Sequence, residues 1–249
     1  MDLNKLLNIS TYAGKIMLEN GAETYRVEET IVRICLAFGV DSAESFVIPT
    51  GIIVSLTHDS ETVTLVKRIR SRGVDLNKID LINSLSRQAH SMTLDELNEK
   101  LNDISSCNKY PNVVALISSG ISAGCFSLLF GGNMKDFCTA FIIGTLLKLM
   151  LNLCEKLDLN SFFINCLGGA FCALLAVIAM KLNLCSNLDK TIIGSIMLLV
   201  PGMLITNAIR DTIAGDFLAG ITKASEAFLI AISVAVGTGS VLSTFIYIL

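Results

Sequence analysis

Apolar residues recur at helical spacing from Leu3 to Met17 (Leu3, Leu6, Leu7, Ile16 and Met17), and Gly21 marks the stop of that helix. A second helix is predicted over residues 23–38, closed by Gly39. The period then changes. Residues 43–50, 51–57 and 62–69 are rich in Val, Ile, Thr and Phe, which predicts three short strands in a meander, the last two joined through His58-Asp59-Ser60-Glu61. Helical spacing returns over residues 76–92, and Thr93 with Glu96 forms a capping box that starts one more helix, running through Ile104. Beyond the Ser-Ser-Cys-Asn-Lys-Tyr-Pro linker lie five apolar stretches, residues 113–131, 137–154, 162–180, 191–209 and 227–249. Each is close to the roughly 20 residues that cross a bilayer core. The expected fold is an α-helical polytopic membrane protein with five transmembrane helices, preceded by an N-terminal α+β domain. The expected domains are residues 1–111 and 112–249.

Composition sharpens this partition. The 249 residues have a mean hydropathy of +0.65, with 52% hydrophobic and only 16% charged, against about 25% charged in an ordinary soluble domain. Met1 to Pro111 holds 12 of the 19 Lys+Arg, 15 of the 22 Asp+Glu and both histidines. A net charge of −3 offers no basic face to phosphates, which argues against nucleic acid as a partner. Eight cysteines, with no CxxC pair among them and most in apolar runs, read as small packing residues of a protein in a reducing compartment. The N-terminus has no apolar signal core, so the first domain is expected in the cytoplasm and Leu249 outside. Lys109, Lys156, Arg210 and Lys223 then fall on the inner side and Lys135, Lys181 and Lys190 on the outer.

Gly120-Ile-Ser-Ala-Gly124 spells the G-x-S-x-G nucleophile elbow, but it sits inside an apolar helix, and both histidines precede it where that fold places one after the serine. The same letters form a small-residue face for close helix packing. His58 and His90 have no cysteine or carboxylate at ligand spacing, so no metal is expected; no glycine-rich phosphate loop follows a strand, so no nucleotide cofactor is expected either.

Two segments carry candidate chemistry. In Gly21-Ala-Glu-Thr-Tyr-Arg-Val-Glu-Glu, the groups Glu23, Arg26 and Glu28 crowd the opening of a helix; dipole-favoured acids with an i,i+3 ion pair account for that pattern without any function. In the fourth apolar stretch, Pro201-Gly202 removes a backbone hydrogen bond and frees carbonyls, as in broken helices that line transporter sites. Asn207 and Asp211 follow at i,i+4 on one face, with Arg210 beside Asp211 and Asp216 just past Gly215. Charged groups at membrane depth are costly, which favours a pathway role; a solvated cytoplasmic loop is the competing reading.

Taken together, GAETYRVEETI, FVIPTGIIVSL and LVPG…TNAIRD…AGDFLAGITKASEA resemble the threonine/serine exporter family across nearly the whole chain. Full-length members carry a cytoplasmic domain, five spans and about five further spans, the second set of which is absent here. The chain thus resembles the larger subunit of the split form. This implies a small membrane subunit as partner, a small carboxylate-bearing substrate (an amino acid or a dicarboxylate) and no enzymatic activity, with a higher oligomer open to it. The resemblance also implies the cytoplasmic membrane as location. One departure is Lys223, where the motif implies an arginine; lysine keeps the charge but lacks the planar fork.

The reading that results is a secondary-active exporter subunit. Pro201 and Gly202 open the backbone, Thr206 and Asn207 hydrogen-bond substrate, Arg210 attracts a carboxylate, and Asp211 and Asp216, flanking Gly215, carry protons or cations. Glu226 lies near the start of the last span. Two rival readings are a membrane-tethered hydrolase built on Glu23, Arg26 and Glu28, and a structural or regulatory subunit whose partner forms the pathway.

Overall fold

The structure, a computed structural model, describes residues 2–70, 73–107, 110–155 and 159–245. Lys109, Lys156 and Leu249, which entered the expected topology, lie outside the described residues. The chain forms two compact units: Met1–Asn108 with Met203–Ser225, and Lys109–Gly202 with Glu226–Leu249.

The first unit opens with α1 (Leu3–Glu19), N-capped by the Asp2 side chain, and α2 (Thr24–Ala37). Leu6, Leu7, Ile16 and Met17 of the predicted stripe are buried. Gly14 lets α2 approach closely, because a Cβ there would stand 2.4 Å from Ile31. Strands β1 (Ser42–Ile48), β2 (Gly51–His58) and β3 (Glu61–Arg68) form an antiparallel sheet in the order β1-β2-β3. The alternation of β2 buries Ile52, Val54 and Leu56, while α1 packs on β2 and β3 and α2 on β1. The second hairpin is tighter than the sequence suggested: His58 pairs with Glu61, and Asp59 and Ser60 alone turn the chain with φ of +52° and +66°. That is the geometry a two-residue hairpin needs to match strand twist. α3 (Leu76–Arg87) stops before residue 92 because the chain tightens into a 3-10 turn, Ala89–Ser91. α4 (Leu94–Ser106) starts on the Thr93/Glu96 capping box as expected.

The second unit contains α5 (Asn112–Leu129), α6 (Met134–Glu155), α7 (Ser161–Lys181) and α8 (Leu188–Ile196), the last continued by a 3-10 turn to Leu199. After the break at Val200 and Pro201 come α9 (Gly202–Ala214) and α10 (Phe217–Phe245). Four described helices, Asn112–Leu129, Met134–Cys154, Ser161–Lys181 and Phe217–Phe245, are long and apolar enough to cross a membrane; Leu188–Leu199 with Gly202–Ala214, bent by 57°, has the composition of a broken span or a re-entrant loop. The fold is therefore that of a multi-pass helical membrane protein with a small antiparallel sheet. The last helix starts at Phe217 rather than at residue 227.

Small residues set the packing in this unit. Gly120 and Gly124 lie mid-helix on α5, where a Cβ would press on Phe141, Thr145 and Phe137 of α6. The G-x-S-x-G letters thus form a contact face, not a strand-to-helix turn. A Cβ on Gly237 of α10 would come 1.9 Å from the Cys166 carbonyl of α7. Among the described residues of this unit, one charged group is fully buried, Asp136 in the first turn of α6. Its Oδ1 accepts the N–H groups of Ser186 (2.7 Å) and Asn187 (2.9 Å), and its Oδ2 accepts Asn133 N–H (2.9 Å) and Asn187 Nδ2 (2.8 Å).

Candidate functional site

The predicted residues converge within the first unit, on the turn between α1 and α2. Gly21 adopts φ of +92°, a conformation that side-chain-bearing residues rarely take, and turns the chain out of α1. Glu23 becomes the N-cap of α2, yet its side chain makes no cap hydrogen bond and is free to bind elsewhere. The opening N–H groups of a helix lack internal partners and favour anions, so Thr24 N–H is a ready donor.

Segment Met203–Ser225 meets that turn. On α9, Asn207, Ala208 and Asp211 are buried while Thr206 and Arg210 are exposed, so the i,i+4 face read from the sequence is real. Asn207 Nδ2 donates to the Gly21 carbonyl (2.8 Å), and its Oδ1 is buried with no partner. Asp211 is 0% exposed; its Oδ1 accepts Thr24 N–H at 3.1 Å and its Oδ2 binds Lys223 Nζ at 2.6 Å. Lys223, 5% exposed, also lies 3.5 Å from the Ala22 carbonyl. Gly215 ends α9 with φ of +98°, and Asp216 then starts α10, its Oδ2 accepting the Thr24 hydroxyl at 3.2 Å.

Arg210 carries an ion pair that the sequence did not show. Its Nη1 sits 2.5 Å from Glu23 Oε1, while Arg26 Nε holds Glu23 Oε2 at 3.2 Å. Burial pushes the Glu23 carboxyl up, but its own backbone N–H, the Arg210 hydrogen bond and the Arg26 charge outweigh this and leave it below the usual range. Glu28 behaves oppositely. Burial, with Asp216 and Asp211 nearby, raises it despite the hydrogen bond its Oε1 accepts from Val47 N–H at 2.7 Å. The i,i+3 pair of the simple reading exists, but it is part of a larger network. The segment from Arg210 onward is likewise not a solvated loop, since Asp211 and Lys223 are buried on helices.

Of the remaining expected residues, Pro201 and Gly202 stand at the helix break and Glu226 belongs to the second unit. Thr24 and the buried role of Lys223 were missed by the sequence reading. A lone lysine in the apolar start of the last helix was the available signal for the latter. The fold also brings Asp41 to His58 and Asp59, their ligand atoms lying within 4.8 Å, a proximity that spacing did not show. Asp41 Oδ2 accepts Asp59 N–H (2.9 Å) and both acids are exposed, which describes a clasp on the β2–β3 turn.

The chain is similar to several named transport proteins. It is 24% identical over 227 residues to the "Probable succinate transporter subunit YjjP" of Escherichia coli (strain K12), covering 90% of this chain and 88% of the relative. A protein of the same name in Klebsiella aerogenes is 23% identical, covering 89% and 86%. The "Threonine/serine exporter" of Corynebacterium glutamicum is 26% identical over 247 residues, which is 94% of this chain but 50% of that protein. No solved structure matches. The threonine/serine exporter family model matches residues 8–245, and the chain belongs to that family of membrane exporters.

Proposed function

We propose that the chain is the larger subunit of a two-component secondary exporter of small amino acids or dicarboxylates in the cytoplasmic membrane. Its N-terminal domain faces the cytoplasm and a smaller membrane subunit completes the pathway. The match to nearly the whole of two proteins named transporter subunits, but to half of a longer exporter, supports the split arrangement. The observation that carries the site is the buried Lys223–Asp211 pair, with Asp211 on the helix after the Pro201-Gly202 break and Lys223 on α10, and with Asp211 bonded to Thr24 of the N-terminal domain. A buried pair of this kind is held by mutual neutralisation. A substrate carboxylate competes with Asp211 for the Lys223 ammonium, with Arg210 nearby on Glu23. Asn207 Oδ1 offers an acceptor in the same place. Hydrogen bonds between residues 21–24 and 207–223 require both stretches to share one side of the membrane.

Proteoliposomes holding the chain with and without a small membrane subunit, loaded with labelled threonine or succinate, test the reading. Efflux only from the pair, abolished by Asp211→Asn, is expected. Full efflux from the partner alone would assign this chain a regulatory role. Labelling of Ser60→Cys by an impermeant thiol reagent in intact cells would overturn the orientation.

A further inference from the structure

The polar network of the first unit is short of one positive donor. Around Thr24 stand four carboxylates, Glu23, Glu28, Asp211 and Asp216, and three cations, Arg26, Arg210 and Lys223. Arg26 and Arg210 are both spent on Glu23, and Lys223 on Asp211. Among the described residues, no ion pair reaches Glu28 or Asp216. The shortage shows independently in hydrogen bonding, since the Asn207 amide oxygen, one turn before Asp211 on a side chain 96% buried, finds no donor.

Helical spacing and one hydrogen bond bring both uncompensated acids to Thr24. Thr24 and Glu28 are i,i+4 neighbours on α2, and Asp216 is bonded to the Thr24 hydroxyl. The other charges around α2 are engaged or exposed. Arg33 is held by Glu29 and Asn83, Lys15 of α1 pairs with Glu19, and Lys78 of α3 donates to the Ser105 carbonyl. Glu44 of β1, Arg87 of α3 and His90 of the following turn are exposed. Among the described residues, Glu28 takes one hydrogen bond, from Val47 N–H to Oε1, which leaves its second oxygen for a proton.

We propose that Glu28 and Asp216 together hold one exchangeable proton, with Asp211 kept as the counter-ion of Lys223, so that the N-terminal domain contributes a proton-coupling residue. The proton comes from water and forms one O–H bond on a Glu28 oxygen; it returns to water when that bond breaks, and no other bond changes. Two like charges on one patch cannot both persist at low cost, and one proton between them removes the repulsion. The raised affinity of Glu28 for its proton agrees with this. As a coupling element, the pair rests on the exporter reading of the same site; as a proton site it does not, and the measurements separate the two.

Infrared difference spectra of the purified full chain in nanodiscs, recorded across pH steps, read the acid carbonyl stretch directly. Wild type is expected to show one carboxylic acid persisting above the ordinary carboxylate range. Glu28→Gln should abolish it, Asp216→Asn should shift its titration to lower pH, and the exposed control Glu44→Gln should leave it in place. A band unchanged by both Glu28→Gln and Asp216→Asn overturns the proposal, as does its replacement by a sodium-dependent signal. In proteoliposomes with the small subunit, net efflux of labelled threonine or succinate should respond to an imposed pH gradient, and Glu28→Gln should lose that response. A titrating band in a chain that moves neither probe would uphold the proton pair and remove the exporter reading.

Discussion

Asp136 and Asp211 are both 0% exposed, yet the molecule holds them by opposite means. Asp136 receives four neutral N–H donors, two on each oxygen, from Asn133, Ser186 and Asn187. Those donors are backbone groups and a short amide, fixed where the α5–α6 loop meets the α7–α8 loop. Asp211 receives one backbone N–H and the ammonium of Lys223, which sits on a flexible four-carbon stem. The first is a rigid clasp whose charge is spread over donors that have nowhere else to go. The second is a charge pair whose cation has other rotamers open to it. Burial alone therefore does not distinguish the two carboxylates; the mobility and charge of the partner do.

The strongest attempt to break this contrast acts on Asp211. Asp211→Asn leaves Lys223 buried without its counter-ion, which should cost about 3–5 kcal/mol of stability and stop efflux. The double variant Asp211→Asn with Lys223→Met removes both charges, and thermal unfolding in detergent should show much of the stability restored while efflux stays absent. Recovery of efflux in the double variant would make the pair a clasp like Asp136.

Asp136→Asn should lower stability by about 1–3 kcal/mol, because an amide NH₂ must face N–H donors. Efflux per folded molecule should stay near the parent value. Loss of transport at unchanged stability would erase the distinction.

Packing supplies a third comparison. Gly237→Ala forces a Cβ into the Cys166 carbonyl and should destabilise by about 1–3 kcal/mol or more. Gly239, two residues on, has nothing within 4 Å of such a Cβ, so Gly239→Ala should raise stability by up to about 1 kcal/mol through helix propensity. Equal melting temperatures for the two variants would refute the close approach of α7 and α10.

The smallest effect separates Glu23 from Glu28 by pH. Glu23 titrates below its ordinary value of 4.5, so it stabilises the fold above that value and the contribution fades as pH falls through the lowered one. Glu28 titrates above 4.5, so the folded state holds its proton more tightly and stability falls as pH rises from 4.5 through the raised value. Glu28→Gln, which keeps an acceptor for Val47 N–H, should flatten the neutral side of the stability profile and leave the acid side. The reverse result would exchange the two assignments.

Much of this was legible before any tertiary information. The period changes after Gly39 and at Leu76 placed the sheet between helices, Thr93 and Glu96 fixed a helix start, and Pro201-Gly202 located the break between α8 and α9. Asn207 and Asp211 were put on one helical face by spacing alone. What spacing missed was the two-residue turn at Asp59-Ser60, where side-chain pattern cannot reveal that two non-glycine residues accept positive φ. Nor could spacing show that Arg210 pairs with Glu23, far back in the chain.

The sequence by itself determined the local elements, the membrane-crossing character and the residue types available for chemistry, since periodicity, capping and backbone breaks act over a few residues. Only the tertiary structure decided which of those residues meet. Thr24 N–H reaches Asp211 across 187 positions, and Asp136 finds three of its four donors some 50 positions away. Partners at such distances are set by how helices and loops pack, because a buried carboxylate must take its donors from whatever the fold brings beside it.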